Sequence, residues 1–153
     1  MSRTPREVAE EAHRLISEDK LLDELFAEDG VLAWPFRIPG VPAEVHGRDA
    51  IRAHFESLKE YRDNFEIEEV NTKILETEDP EVVLMELVQR GHSGFTNSPY
   101  QLTALGIIRV QDGLIVRYDD YTNPIGLVQM LNGLAELAAA LVSEPTPEWA
   151  MAR

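Results

Sequence analysis

A chain of 153 residues has the length of one domain that buries roughly two-thirds of the surface its unfolded form exposes. Its formal charge of -14 excludes the basic surface with which nucleic-acid binders displace counterions from phosphates, and it opposes docking on an anionic membrane. With no cysteine, disulfides, thiolate metal sites and cysteine nucleophiles are excluded too. An acidic balance is compatible with a neutral or cationic small-molecule partner. The first residues carry no apolar h-region, and no run reaches the ~18 apolar residues of a membrane span. The expectation is a soluble, cytoplasmic protein.

Thr4-Pro5-Arg6-Glu7 is a capping box with proline at the first helical position, and Val8, Ala12, Leu15 and Ile16 follow at helical spacing. Leu21, Leu22, Leu25 and Phe26 predict a second, short helix that stops at Gly30. Residues 31–36 read as a short strand at a sheet edge, because Pro35 cannot donate to a ladder. After the loop 38–42, Val45 and His46 lead into a helix opening near Gly47, with Ile51, His54, Phe55 and Leu58 on one face. Three long strands follow over about 65–75, 82–90 and 100–110, the first with an irregularity at Glu68-Glu69. The Asp112-Gly113 turn closes a hairpin onto a strand that ends Tyr118-Asp119-Asp120-Tyr121. That strand passes straight into a helix capped by Asn123, with Pro124 in its first turn. Leu127, Val128, Met130, Leu131, Leu134, Leu137 and Leu141 make this last helix broadly apolar. The tail from Ser143 reads as loosely held, so a single domain spans 1–142 with 143–153 appended.

Helices followed by a meander of long antiparallel strands form an α+β pattern, with helices covering one face of a curved sheet. Such a sheet curls into a cone whose open mouth is a natural apolar pocket. The strand over 82–90 is apolar on both faces. One face lines the pocket and the other needs covering, most simply by a second copy, so a homodimer is expected.

Strand alternation sets Leu114, Val116, Tyr118 and Asp120 on one face, and Ile115, Arg117, Asp119 and Tyr121 on the other. The first face is apolar or aromatic up to its acid. Desolvation there raises a carboxyl pKa towards neutrality, which suits Asp120 to general acid/base work; in the competing reading Asp120 only caps or pairs near the last helix. His54 points inward from an apolar stripe, either as a packed core residue or as a second functional group. Glu86 interrupts Leu84-Met85-Glu86-Leu87-Val88, where a single acid is paired, catalytic or at a subunit interface. Trp34 and Phe36 project to one face of their strand, to stack on a flat ligand or to pack in the core. No Gly-rich phosphate loop, no Gly-x-Ser-x-Gly elbow and no metal-spaced histidine pair is present, so neither a metal nor a cofactor is expected.

Trp34-Pro35-Phe36, Pro39-Gly40-Val41-Pro42, Gly47-Arg48-Asp49-Ala50-Ile51, Asp112-Gly113-x-Ile115 and Tyr118-Asp119-Asp120-Tyr121-Thr122-Asn123-Pro124 occur in an order and spacing that resemble the NTF2-like superfamily. Within it, they resemble the SnoaL-like group of polyketide cyclases and phenazine-biosynthesis condensing enzymes. The resemblance runs from about Leu15 to Leu137 and implies an NTF2-like cone. By it, Asp120 matches the acid that serves the polyketide cyclases as general acid/base. His54 and Ser57 match the helix segment that gives the phenazine enzymes a histidine and a serine, and Glu86 and Arg90 have counterparts on the matching strand. Limonene-epoxide hydrolases of this fold need an Arg-x-Asp where Leu87 and Gln89 stand, and ketosteroid isomerases a tyrosine absent from the first helix here. Neither activity is therefore expected.

The resulting expectation is a cofactor-independent enzyme that cyclises, condenses, isomerises or dehydrates a small hydrophobic or aromatic, carbonyl- or ring-bearing metabolite. Asp120 shuttles the proton, His54 polarises the carbonyl with help from Ser57, and Trp34, Phe36, Tyr118 and Met130 shape the pocket, with Glu86 facing either the pocket or the dimer interface. The alternative is a non-catalytic module that binds a ligand or a protein partner.

Overall fold

The computed structural model describes residues 2–143, and the expected loose tail over 144–153 lies outside the described residues. One open sheet holds β1 (Phe26–Ala33), β2 (Glu44–His46), β3 (Phe65–Glu76), β4 (Val82–Ser93), β5 (Ser98–Gln111) and β6 (Leu114–Thr122), in the spatial order β2-β1-β6-β5-β4-β3. Neighbours are antiparallel except β1 and β6, which run parallel. Among the described residues five helices accompany it: α1 (Pro5–Ser17), α2 (Arg48–Ser57), α3 (Lys59–Arg62), α4 (Pro124–Met130) and α5 (Leu134–Ser143). This is the α+β architecture read from the sequence, with the cone's core on the inner face of the sheet.

Helix α1 starts as its capping box requires. The Thr4 hydroxyl accepts from the Glu7 N–H, and the Glu7 carboxylate accepts from the Thr4 N–H at 2.7 Å. Val8, Ala9 and Ala12 lie fully buried against β3, β4 and β5, where Val83, Met85 and Ile108 meet them in one cluster.

Three expectations change. Leu21 to Phe26 is not a helix: one 3₁₀ turn (Asp23–Leu25) leads into β1, where Phe26 pairs with Ile115 of β6. Ladder pairing and burial of Phe26 override a local apolar cluster that periodicity cannot tell from the start of a strand. Nor is β1 an edge strand, since it lies between β2 and β6, and Pro35 falls in the turn beyond its end. The last helix is two. Asn132 adopts φ 56°, the left-handed conformation that ends a helix, and the Gly133 N–H bonds back to the Val128 carbonyl at 2.9 Å.

Alternation in β6 is also broken. Arg109 pairs with Arg117 while Val110 pairs with Ile115, so Val116 is an extra, bulged residue. Ile115, expected on the outer face, is therefore fully buried in the core together with Tyr118, while Leu114 and Val116 are only half-buried. In β3 the irregularity falls where it was expected, between Ile67 and Glu69.

Helix α2 is fixed by its first turns. Gly47 takes φ 94° and donates its N–H to the Gly30 carbonyl at 2.7 Å. Arg48 Nε donates to the Phe26 carbonyl at 2.8 Å, and Arg52 Nε meets the buried Asp23 carboxylate at 2.7 Å. These ties turn the face bearing His54 towards the sheet.

Gly91 allows β3 and β4 to come together beside the bulge. A Cβ there would lie 1.9 Å from the Glu66 carbonyl oxygen and 2.9 Å from the Tyr100 ring. Gly91→Ala is expected to destabilise the fold by about 1–3 kcal/mol, measured as a lower midpoint of denaturant unfolding; an unchanged midpoint would mean that β3 yields freely at this point.

Candidate functional site

On the inner face of the sheet the register lines up Met85, Leu87 and Gln89 of β4 with Gly106, Ala104 and Leu102 of β5, and Asp120 and Thr122 of β6 with Gly106 and Ala104. Above this floor lies a cavity of about 630 Å³. Trp34 and Phe36 enter it from the segment after β1, His54 and Leu58 from α2 and its end, and Leu127 and Met130 from α4. Two contacts hold α4 in place over the cavity. Asn123 Oδ1 accepts from the N–H groups of Ile125 and Gly126, and the buried Ser93 hydroxyl donates to the Met130 carbonyl at 2.6 Å.

Asp120 lines this cavity. Burial pushes its carboxyl above the ordinary aspartate range, against the Thr122 hydroxyl, which donates to Oδ1 at 2.7 Å, the Trp34 side chain and the Thr122 N–H, all of which favour the charged form. Among the described residues no cation pairs with it. The adjacent Asp119 faces outward and meets Arg117 at 3.0 Å.

His54 lines the same cavity, its ring 4.9 Å from Trp34 and 5.8 Å from Phe55. Burial lowers its pKa, so the imidazole is neutral at pH 7, and its ring nitrogens have no hydrogen-bond partner among the described residues. Trp34 is thus the common neighbour of acid and imidazole.

The remaining candidates divide. Met130 is buried and faces the cavity, and Phe36 sits exposed at its mouth, edge-on to Tyr121 at 5.1 Å. Tyr118 lies deeper, stacked on Phe26 at 6.3 Å, and borders a smaller chamber of about 190 Å³ rather than the main cavity. Burial and the nearby Asp120 push its phenol pKa up. Ser57 does not join the site: its exposed hydroxyl donates to the His54 carbonyl at 2.6 Å, as a residue ending a helix does. Glu86 does not join it either, because the register places it on the outer face between Lys73 and Leu105.

Thr122, Gln89 and Leu102 were not singled out from the sequence. Thr122 was legible, two residues beyond Asp120 on the same strand face. Gln89 and Leu102 follow only once the β4–β5 register is known. The charged residues at the cavity are Asp19, Lys20, Arg37, Arg62 and Asp120, so the acidity of the chain is not concentrated there. Among the described residues no group of three or more His, Asp or Glu side chains is placed to hold a metal, and no helix is long and apolar enough to cross a membrane.

An open α+β sheet curled over an apolar cavity, with helices on its inner side, is the ketosteroid isomerase-like, NTF2-like fold class. The chain belongs to the SnoaL-like domain family, whose family model matches residues 9–118. It is 28% identical over 119 residues to an uncharacterised PhzA/B-like protein of Pseudomonas aeruginosa, covering 78% of this chain and 82% of that one. A solved structure of a candidate isomerase from Bacillus subtilis is similar at TM-score 0.71 and 27% identity, over 84% of this chain and 93% of the other. A candidate polyketide cyclase from Pseudomonas putida shares the fold at TM-score 0.65 and 16% identity, over 84% and 98%.

The raised Asp120 pKa has a consequence for stability. The folded chain favours the protonated acid more than the unfolded chain does, so the group's cost to stability grows as pH rises from the ordinary carboxylate range and is complete above its folded-state pKa. Asp120→Asn is expected to raise the thermal unfolding midpoint at neutral pH. The gain should fade as pH drops below the ordinary carboxylate range; a variant that melts below the parent at pH 7 would contradict the desolvation argument.

Proposed function

We propose that this SnoaL-like protein is a cofactor-independent, cytoplasmic enzyme that moves a proton on a small carbonyl- or ring-bearing metabolite held in the cavity. The observation that carries the reading is the desolvated Asp120 carboxyl, facing an apolar cavity without a cationic partner among the described residues. A carboxyl tuned upward is a better base near neutral pH than an ordinary aspartate and also a competent acid. Asp120 removes a proton from the carbon beside the carbonyl and returns it to the product. Neutral His54 donates a hydrogen bond to the carbonyl oxygen and so stabilises the negative charge that develops there. Trp34 offers a flat apolar wall to the ring between them. Cyclisation, condensation, isomerisation and dehydration all draw on this set, and the likeness to a candidate isomerase and a candidate polyketide cyclase supports it.

The direct test is deuterium exchange at the α-carbon of 2-tetralone in D₂O, followed by NMR. The parent protein is expected to catalyse exchange, and Asp120→Asn to slow it at least ~100-fold while calorimetry shows the ketone still bound. Equal rates would remove Asp120 from the chemistry; binding without exchange in the parent would favour a non-catalytic binding module.

We also infer a homodimer. On the outer face the register groups Leu84, Val88, Leu105, Ile107 and Tyr121, each partly exposed, around Glu86 and Lys73, an apolar area that a second copy would cover. Sedimentation is expected to give two 17.3 kDa chains per particle, and Leu105→Arg one; a monomeric parent would overturn this.

A further inference from the structure

Beneath Asp120 lies a compartment that the proton-transfer reading does not use. The chamber of about 190 Å³ adjoins the main cavity, and Gln89, Leu102, Asp120 and Thr122 line both. The chamber exists because β5 presents Ala104 and Gly106 on an inner face whose cross-strand neighbours are Leu87 and Met85. Phe26, Leu32 and Met85, all buried, close its far side.

Into this apolar shell projects the hydroxyl of Tyr118. The side chain is only 7% exposed, and its ring lies over Gly106, where a Cβ would come within 2.8 Å of the hydroxyl oxygen. The hydroxyl has no hydrogen-bond partner among the described residues. Most polar side-chain atoms inside a protein find a protein partner, and this hydroxyl, left without one, offers its O–H to whatever enters the chamber. Here the unmet donor faces a space large enough for several non-hydrogen atoms. That space lies beside the acid to which the reaction is assigned.

We propose that this inner chamber is a binding subsite in its own right, taking a short acyl arm of the substrate whose carbonyl oxygen accepts a hydrogen bond from the Tyr118 hydroxyl. It names the substrate class of the proposed function, and rests on that reading only in taking the main cavity as the place where the substrate's ring binds. The oxygen it binds is distinct from the one facing His54. Ala104 and Gly106 set how long an arm fits, and Tyr118 requires that the arm carry an acceptor. An arm that is only hydrocarbon gains apolar burial but leaves the donor unmet.

The test is calorimetric binding of acetophenone, 4-phenyl-2-butanone, 6-phenyl-2-hexanone and butylbenzene to the intact protein, to Ala104→Leu and to Tyr118→Phe. In the parent, affinity is expected to rise about fourfold per added methylene until the chamber is filled. Ala104→Leu should remove that increment, while acetophenone, too short to reach the chamber, binds both proteins alike. Tyr118→Phe should weaken 4-phenyl-2-butanone, whose carbonyl lies out along the arm, about fivefold without weakening butylbenzene. Its melting midpoint should not fall, since no internal hydrogen bond is lost. The proposal is overturned if the chain-length increment persists in Ala104→Leu, or if Tyr118→Phe weakens ketone and hydrocarbon equally. Acetophenone binding with no increment in the parent sinks the subsite and leaves the main cavity standing. No binding of any of the four sinks both readings. Because no outcome needs turnover, it is separate from the role of Asp120 in proton transfer.

Discussion

Two adjacent aspartates near the end of one strand meet opposite environments, and a single bulged residue decides which is which. Ile115 packs into the core, so strict alternation from it would carry Asp119 to the inner face and Asp120 to the outer. The extra residue at Val116 resets the parity. Asp120 then stands opposite Gly106 over the cavity, and Asp119 opposite Ile107 on the outside, beside Arg117. The geometry of the site descends from this shift: the desolvated acid, the Thr122 hydroxyl that braces it, and the Tyr118 ring laid over Gly106.

The electrostatics follow from the pairing of the two acids: Lys20, Arg37 and Arg62 line the cavity, yet among the described residues none of them pairs with Asp120. An outward carboxylate with an arginine beside it stays ionised and contributes little beyond a surface ion pair. An inward one without a cation pays for its charge, so its proton is held more tightly. The same burial acts in the opposite sense on His54, whose proton is held less tightly. Both groups are pushed towards their neutral forms, one from each side. Such a pair suits the transfer of a proton between carbon and carboxyl with little separation of charge. The helix ends maintain this arrangement: the Arg48 and Arg52 ties orient α2, and the Asn123 cap with the Ser93–Met130 bond seats α4.

Much of this was legible in the sequence, and for physical reasons. Capping residues are local, so Thr4, Gly47 and Asn123 marked three helix starts. Long alternating runs and an Asp-Gly turn marked β3 to β6. Asp120 and His54 were singled out because a titratable group on an apolar face is costly wherever it falls. What was missed depends on pairing. Phe26 joined a strand because β6 was available to pair with it, and β1 left the edge because a three-residue β2 covers it. The break at Asn132-Gly133 had a local signal that the surrounding leucines hid. Glu86 could not be assigned a side without the register that sets it against Lys73. Asp120 was placed correctly although the alternation behind it was not, since Leu114 and Val116 were expected inside and Ile115 outside. A bulge leaves no mark in composition, and here it decides which aspartate faces the cavity.

The central claim is that burial, uncompensated by a cation, holds the Asp120 carboxyl above its ordinary range. Its most direct test is a carboxyl-carbon NMR titration of the intact protein, with the Asp120 resonance identified by its loss in Asp120→Asn. A midpoint well above the ~3.9 of an unperturbed aspartate is the result the account predicts. A midpoint at or below that value would mean that water or an unseen partner solvates the group, and the acid/base reading of the cavity would be contradicted.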